Sequence, residues 1–152
     1  METEDLALKQ YDVVLRYLIY ENTVYWTRSS FFLAANAGLF GFVASKLPAP
    51  PHDIHYIIAL AVGCIGGIIL SGLWHQALRV GEYWTSRWER ICISLEERAF
   101  DKIEVLRNCR LNGRDSGKQV AHRTAMLFTI LWSLALVYTI VISLKFFHST
   151  YI

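Results

Sequence analysis

Charge is what this sequence has least of. Asp, Glu, Lys and Arg make up 18% of its 152 residues, against about 25% in an ordinary soluble domain. The shortfall is uneven: three stretches are almost free of charge, while residues 79–123 hold ten of the fifteen Lys and Arg. A net charge of +2 is too small to argue for nucleic acid as a partner. Paired cysteines are absent too. Cys64, Cys92 and Cys109 form no C-x-x-C and no metal-ligand spacing, so reduced, structural thiols are expected. The first residues, Met-Glu-Thr-Glu-Asp, are acidic where a cleaved leader would be basic, and no leader is expected. The length suits one compact unit rather than two independent domains.

Catalytic constellations are also missing. Gly117-Lys118 invites comparison with a phosphate-binding loop, but the first glycine of that motif would fall at Asn112 and its hydroxyl at Gln119, with no strand before it. The histidines are scattered at 52, 55, 75, 122 and 148. His52, Asp53 and His55 read as a solvated loop rather than a metal site, and His75 and His122 as amphipathic rings at the cytoplasmic ends of spans. No Ser-His-Asp or Cys-His arrangement stands out. The sequence therefore predicts no enzyme site, no metal and no cofactor.

Long apolar runs are what it does contain. Thr124 to Leu144 gives 21 uncharged residues between Arg123 and Lys145, a helix of about 31 Å against a hydrocarbon layer of about 30 Å. Tyr56 to Trp74 stays uncharged until Arg79, so a span over 56–78 is expected. Its Gly63, Gly66, Gly67 and Gly72 would each weaken a helix in water by about 1 kcal/mol, but a bilayer enforces the helix because unpaired backbone groups are intolerable there. Ser29 to Leu47 makes another span, with Lys46 snorkelling at its end. Between them, Leu47-Pro-Ala-Pro-Pro-His-Asp53 forces a short antiparallel hairpin.

The expected fold is an all-α integral membrane protein with three transmembrane helices. An N-terminal amphipathic helix (1–28) leads into span 1 (29–47), an outer turn (48–55) and span 2 (56–78). A cytoplasmic helix and loop (79–123) then lead to span 3 (124–144) and an outer tail (145–152). Basic residues crowd 79–123, and Lys9, Arg16 and Arg28 add to the N-terminal segment, whereas the turn offers only Lys46 and the tail only Lys145. The positive-inside rule places the N-terminus in the cytoplasm and the C-terminus outside.

The cytoplasmic parts carry patterns of their own. Leu8, Tyr11, Leu15, Leu18 and Tyr25 recur at helical intervals and predict one apolar face over 4–28, with Tyr20, Tyr25 and Trp26 as interfacial aromatics. Trp84, Trp88, Ile91 and Leu95 form an a/d seam that continues through Ala99, Ile103 and Leu106. Arg87, Arg90, Glu97, Arg98 and Glu104 fall on the opposite face. Such a seam requires a partner, either the N-terminal helix or the same helix of another subunit. Residues 108–117, with two glycines, read as a loop.

Small residues mark candidate helix-packing and oligomer-interface positions. Gly63, Gly67 and Ser71 form a small-xxx-small ridge on span 2, and Ala37, Gly41 and Ser45 form another on span 1. The two ridges either pack the hairpin within one chain or join subunits, and Gly67→Leu is expected to disrupt helix association by filling the close approach. Asn36 is the strongly polar residue well inside a span. It is expected to hydrogen-bond across a helix interface, with pore lining as the alternative.

Ser71-Gly-Leu-Trp74, Gly81-Glu-Tyr-Trp84, Trp88-Glu89 and Leu95-Glu96 together resemble the segment after the second span in the RipA family of octameric bacterial membrane proteins. Glu21, Trp26-Thr-Arg28-Ser29 and Phe31-Phe32 are similar to that family's approach to its first span. The resemblance covers about residues 10–106. It implies a homo-oligomeric inner-membrane protein, about eight copies in a ring, with no catalytic residues and with Trp84, Trp88 and Glu89 in structural roles. The leading expectation is thus a homo-oligomeric assembly in the bacterial inner (cytoplasmic) membrane, ring-shaped or enclosing a pore, whose partners are the lipid bilayer and further copies of itself. Two alternatives belong to other classes: a membrane-disrupting effector of antiphage immunity, and an accessory or scaffold subunit that binds a protein partner through the cytoplasmic helix.

Overall fold

The computed structural model describes residues 2–46, 54–99 and 116–151, and all of them are helical. Helix α1 spans Glu2–Lys46, α2 Ile54–Ala99 and α3 Ser116–Tyr151. The proline turn at 48–53, Ile103 and Leu106 of the predicted seam, Cys109, and most of the predicted loop at 108–117 lie outside the described residues.

The predicted segments join into three long helices. The N-terminal helix and the first span are one helix of 45 residues, and the second span continues without interruption past Gly81 into the charged segment, giving 46 residues. Helix α3 begins at Ser116, ahead of the predicted Thr124, and runs through the predicted tail as far as Tyr151. Charged residues mark where a helix would leave lipid, not where its backbone hydrogen bonds stop. At about 1.5 Å per residue the helices are about 67, 69 and 54 Å long, so α1 and α2 exceed a hydrocarbon layer of about 30 Å roughly twofold.

By length and composition, two described helices can cross a membrane: Ile54–Glu97 within α2 and Gly117–Phe146 within α3. The apolar half of α1 falls short of the same standard, because Asn36, Ser29, Ser30, Ser45 and Lys46 dilute it.

The chain divides into two compact units, one of Met1–Ser29 and Ala77–Ala121, the other of Ser30–Gln76 and His122–Ile152. The first, here the charged unit, holds most of the Lys and Arg; the second is the apolar unit. In both, the buried positions follow a heptad. On α2, Ile57, Leu60, Cys64, Gly67, Ser71 and Trp74 are buried in the apolar unit, and Leu78, Gly81, Thr85, Cys92 and Leu95 in the charged unit. These alternate at three and four residues, with half-buried Trp88 at the remaining place, which is the a/d spacing of helices packed side by side. On α1, Ser29, Asn36 and Val43 are buried at intervals of seven, as are Ala125, Trp132 and Thr139 on α3.

This stripe corrects the predicted seam. Trp84 is 41% exposed and Ile91 half-buried, while the buried places one step away belong to Gly81, Thr85 and Cys92. The α1 face keeps Leu18 and Tyr25 buried and Tyr11 and Leu15 half-buried, and departs at one end, where Ala7 is buried and Leu8 exposed. Apolar bulk misled the pattern, because helices that approach closely select small residues for the contact line and leave large rings to flank it.

Candidate functional site

The apolar unit is organised around Asn36. Its backbone belongs to α1, its side chain has no exposed surface, and its Nδ2 donates to the Phe32 carbonyl at 2.9 Å. The Oδ1 accepts from Ser71 Oγ of α2 at 2.9 Å and from Trp132 Nε1 of α3 at 3.0 Å. One amide oxygen has two lone pairs, and both are used. Apolar side chains gain little by leaving lipid for a protein interior, so this bifurcated acceptor and close packing specify how the three helices meet. A pore-lining role for Asn36 does not fit, since its polar atoms are turned inward and satisfied within one chain.

Gly67 makes the Trp132 position available. A Cβ there would clash with Cδ2, Cε2 and Cε3 of the indole, so only glycine lets the ring lie against the α2 backbone. At Gly63 a Cβ would stand 2.9 Å from Val43 Cγ2. Val43, Leu60, Cys64 and Trp132 form the buried apolar cluster, and Phe40 meets Trp132 edge-on at 5.4 Å. Toward the other end of this unit, Trp74 lies between Phe32 and Phe128, with ring centroids 6.5 and 6.2 Å away. Its buried Nε1 has no hydrogen-bond partner. His75 and His122 meet through their Nδ1 atoms at 3.5 Å, so one imidazole N–H donates to the other ring.

The charged unit has its own close approach. A Cβ on Gly81 would stand 2.5 Å from Tyr25 Cδ2, and Thr85 Oγ1 donates to the Gly81 carbonyl at 2.9 Å. Tyr17 of α1 stacks on Trp88 of α2 at 5.3 Å, with ring planes 12° apart. Cys92, Leu95 and Glu96 are buried. Burial pushes the Cys92 thiol above its ordinary value, and the Glu96 and Glu89 carboxylates add to the shift. Burial, then Glu96, raises the Tyr11 phenol in the same way.

The sequence-predicted site residues therefore separate into two sets. Asn36, Gly63, Gly67, Ser71, Trp88 and Leu95 pack inside the protomer, to different depths. Ala37, Gly41, Ser45 and Trp84 are exposed. The two small-residue ridges do not pack on one another: Gly67 receives Trp132, whereas a Cβ at Gly38 or Gly41 would meet nothing within 4 Å. Sequence reasoning missed Trp132. Its signal was available, because tryptophan favours membrane interfaces and one in mid-span requires a partner for its N–H. Among the described residues no group of three or more His, Cys, Asp or Glu could hold a metal ion.

Long apolar helices, a polar hub inside the apolar unit and a small-residue face left uncovered define an all-helical membrane protein. The chain belongs to the Octameric membrane protein family (8xMP), whose sequence model matches residues 8–141. No curated protein and no solved structure matches the chain.

Proposed function

We propose that this protein is the building block of a homo-octameric ring in the bacterial cytoplasmic membrane, with three spans, a cytoplasmic N-terminus and an outer C-terminus. The observation that carries the reading is the face formed by Ala34, Ala37, Gly38, Gly41 and Ser45 on α1, exposed in the protomer although its residues are small. Lipid gives no reason for such a face, but a neighbouring helix does, because small residues allow backbones to approach closely. Covering this face with a neighbour would also explain how a helix holding Asn36 and Lys46 can sit in the membrane without meeting the composition of a lipid-facing span. The family's name denotes eight copies, and within the family we read the chain as RipA-like on its Trp74, Trp84 and Trp88-Glu89 motifs.

The outward surface favours a ring or scaffold over an ion pore. In the stretches 30–45, 56–74 and 124–144 no residue is charged, and the exposed side chains include Phe31, Phe42, Val62, Ile69, Leu134 and Leu144. Such walls offer an ion no replacement for its hydration shell. Native mass in nanodiscs tests the reading: a single eight-copy species is expected, and Gly41→Leu should reduce it to smaller species with helicity unchanged. A wild-type chain that runs as a monomer would remove the proposal.

A further inference from the structure

The charged unit presents a different outward surface, on α2 just past the predicted end of span 2 at 78. From Ala77 to Arg90 the exposed residues of α2 are Arg79, Val80, Tyr83, Trp84, Arg87 and Arg90. They recur at three and four residues and share one face of the helix. Val80, Tyr83 and Trp84 are 51, 57 and 41% exposed, so large apolar side chains stay uncovered beyond the span. None of this set is acidic, and Glu82 and Glu89 are half-buried at its flanks. Rings and cations are in contact along it. Tyr83 meets Trp84 edge-on at 5.5 Å, and the Arg87 guanidinium lies over the Trp84 ring, 5.8 Å from its centroid.

We infer that this stripe binds the head groups of anionic phospholipids, with its rings in the interface and Arg79 and Arg87 on the phosphates. The inference rests on the membrane-spanning topology proposed above and not on the number of copies. The order of side chains along the helix carries it. Helix α2 is uninterrupted, so at about 1.5 Å per residue Val80 stands about 3 Å past Leu78, Tyr83 and Trp84 about 8–9 Å, and Arg87 about 13 Å. Helical side chains lean toward the N-terminus, which on α2 is toward the bilayer, and Arg87 follows that direction in lying over Trp84. The lean returns the rings to a head-group layer about 5–7 Å deep and the Arg87 guanidinium to its outer edge. Arg79 stands at the inner edge and reaches the same layer by its flexible stem. Aliphatic, then aromatic, then cationic is the order that acyl chains, interface and phosphates select.

Charge singles out the occupant. Neither Arg79 nor Arg87 has an ion pair among the described residues, and a guanidinium matches phosphate in two-point hydrogen bonding. A second copy of the chain has little to offer in return. Among the described side chains the exposed acids are Asp12, already held by Arg16 at 3.0 Å, and Glu97. A zwitterionic lipid brings its own cation with the phosphate, whereas an anionic lipid leaves its charge for the arginines.

The test places a benzophenone side chain at Tyr83 of the full chain, in nanodiscs of equal phosphatidylcholine and phosphatidylglycerol. Photolysis is expected to add the mass of one phospholipid, with phosphatidylglycerol taken about fivefold over phosphatidylcholine, the preference expected of an arginine at an anionic surface. The companion variant, Arg79→Gln with Arg87→Gln, changes exposed side chains, so helicity by circular dichroism should persist while the preference falls toward one. Adducts to a second copy, to a foreign protein, or none at all would overturn the inference. So would a preference that survives both substitutions. Lipid binding and copy number fail separately: an eight-copy species without phosphatidylglycerol-enriched adducts removes this inference alone, whereas a monomeric wild type that gives them removes the octamer alone.

Discussion

The two units of this chain meet the same geometric requirement with different chemistry. Both place a glycine of α2 beneath an aromatic ring of another helix, Gly67 under Trp132 in the apolar unit and Gly81 under Tyr25 in the charged unit. In the apolar unit the ring is also fixed by a buried hydrogen bond to Asn36. In the charged unit the helices are joined by ring stacking of Tyr17 on Trp88 and by burial of Leu95 and Cys92. The difference matches the proposed topology, in which the charged unit meets water and the apolar unit meets lipid. Water drives apolar side chains together without specifying how they fit, whereas in lipid that drive is lost and packing plus interhelical hydrogen bonds must decide the register.

On that contrast the most damaging single change lies at Gly67. A Cβ there overlaps three atoms of an indole whose Nε1 is already held, so the ring cannot shift without giving up its hydrogen bond. Gly67→Leu should destabilise the protomer by about 3 kcal/mol or more, at the upper end of the cost of overpacking. Unfolding in detergent followed by circular dichroism measures it, and a near-neutral result would mean that α3 packs elsewhere.

Asn36→Leu comes next. It fills the volume but leaves the Ser71 hydroxyl and the Trp132 N–H without their shared acceptor, at a cost of about 2 kcal/mol. Ser71→Ala should cost about 1 kcal/mol, since it removes a donor and orphans little. Equal effects of the two substitutions would show that Asn36 does not act as the common acceptor. Gly81→Leu should fall between them, at about 1–2 kcal/mol, because one edge atom of Tyr25 lies under 3 Å from the new Cβ rather than three ring atoms. An effect at Gly81 as large as that at Gly67 would erase the distinction between the units.

How much of this was readable from residues alone depends on what each signal encodes. The uncharged stretch at 124–144 lies within α3, and the long apolar-to-charged run after Tyr56 within α2, because length and charge deficit are local properties. Continuity was readable where the apolar pattern runs on, from the N-terminal helix into the first span and from the second span into the Trp84–Leu95 segment, whereas the start of α3 at Ser116 was not, because only charge marked the predicted start at Thr124. Asn36 was identifiable as a polar residue requiring a partner. Its partner Trp132 is 96 residues away, and no period links them. The seam had Trp88 and Leu95 on the stripe but was off by one step at its other two places, because hydrophobicity weighs Trp84 and Ile91 above Thr85 and Cys92. Close approach weighs them the other way.

The smallest expected effect is specific to the charged unit. Cys92 is fully buried, and its thiol is raised first by that burial and then by the Glu96 and Glu89 carboxylates. Because the folded value is the higher one, the unfolded chain releases this proton first as pH rises. The contribution to stability is therefore complete below the unfolded thiol value of about 8.5 and is lost as pH climbs from there through the folded value. Tyr11, raised by burial and by Glu96, adds a loss of the same sign that begins about 1.5 units higher. Thermal midpoints measured from pH 7 to 10 should fall, and the fall should be shallower in Cys92→Ala after allowance for that variant's lower starting stability. Parallel curves for the two proteins would mean that Cys92 meets water, and that the buried line through Thr85, Cys92 and Leu95 is looser than its counterpart through Cys64, Gly67 and Ser71.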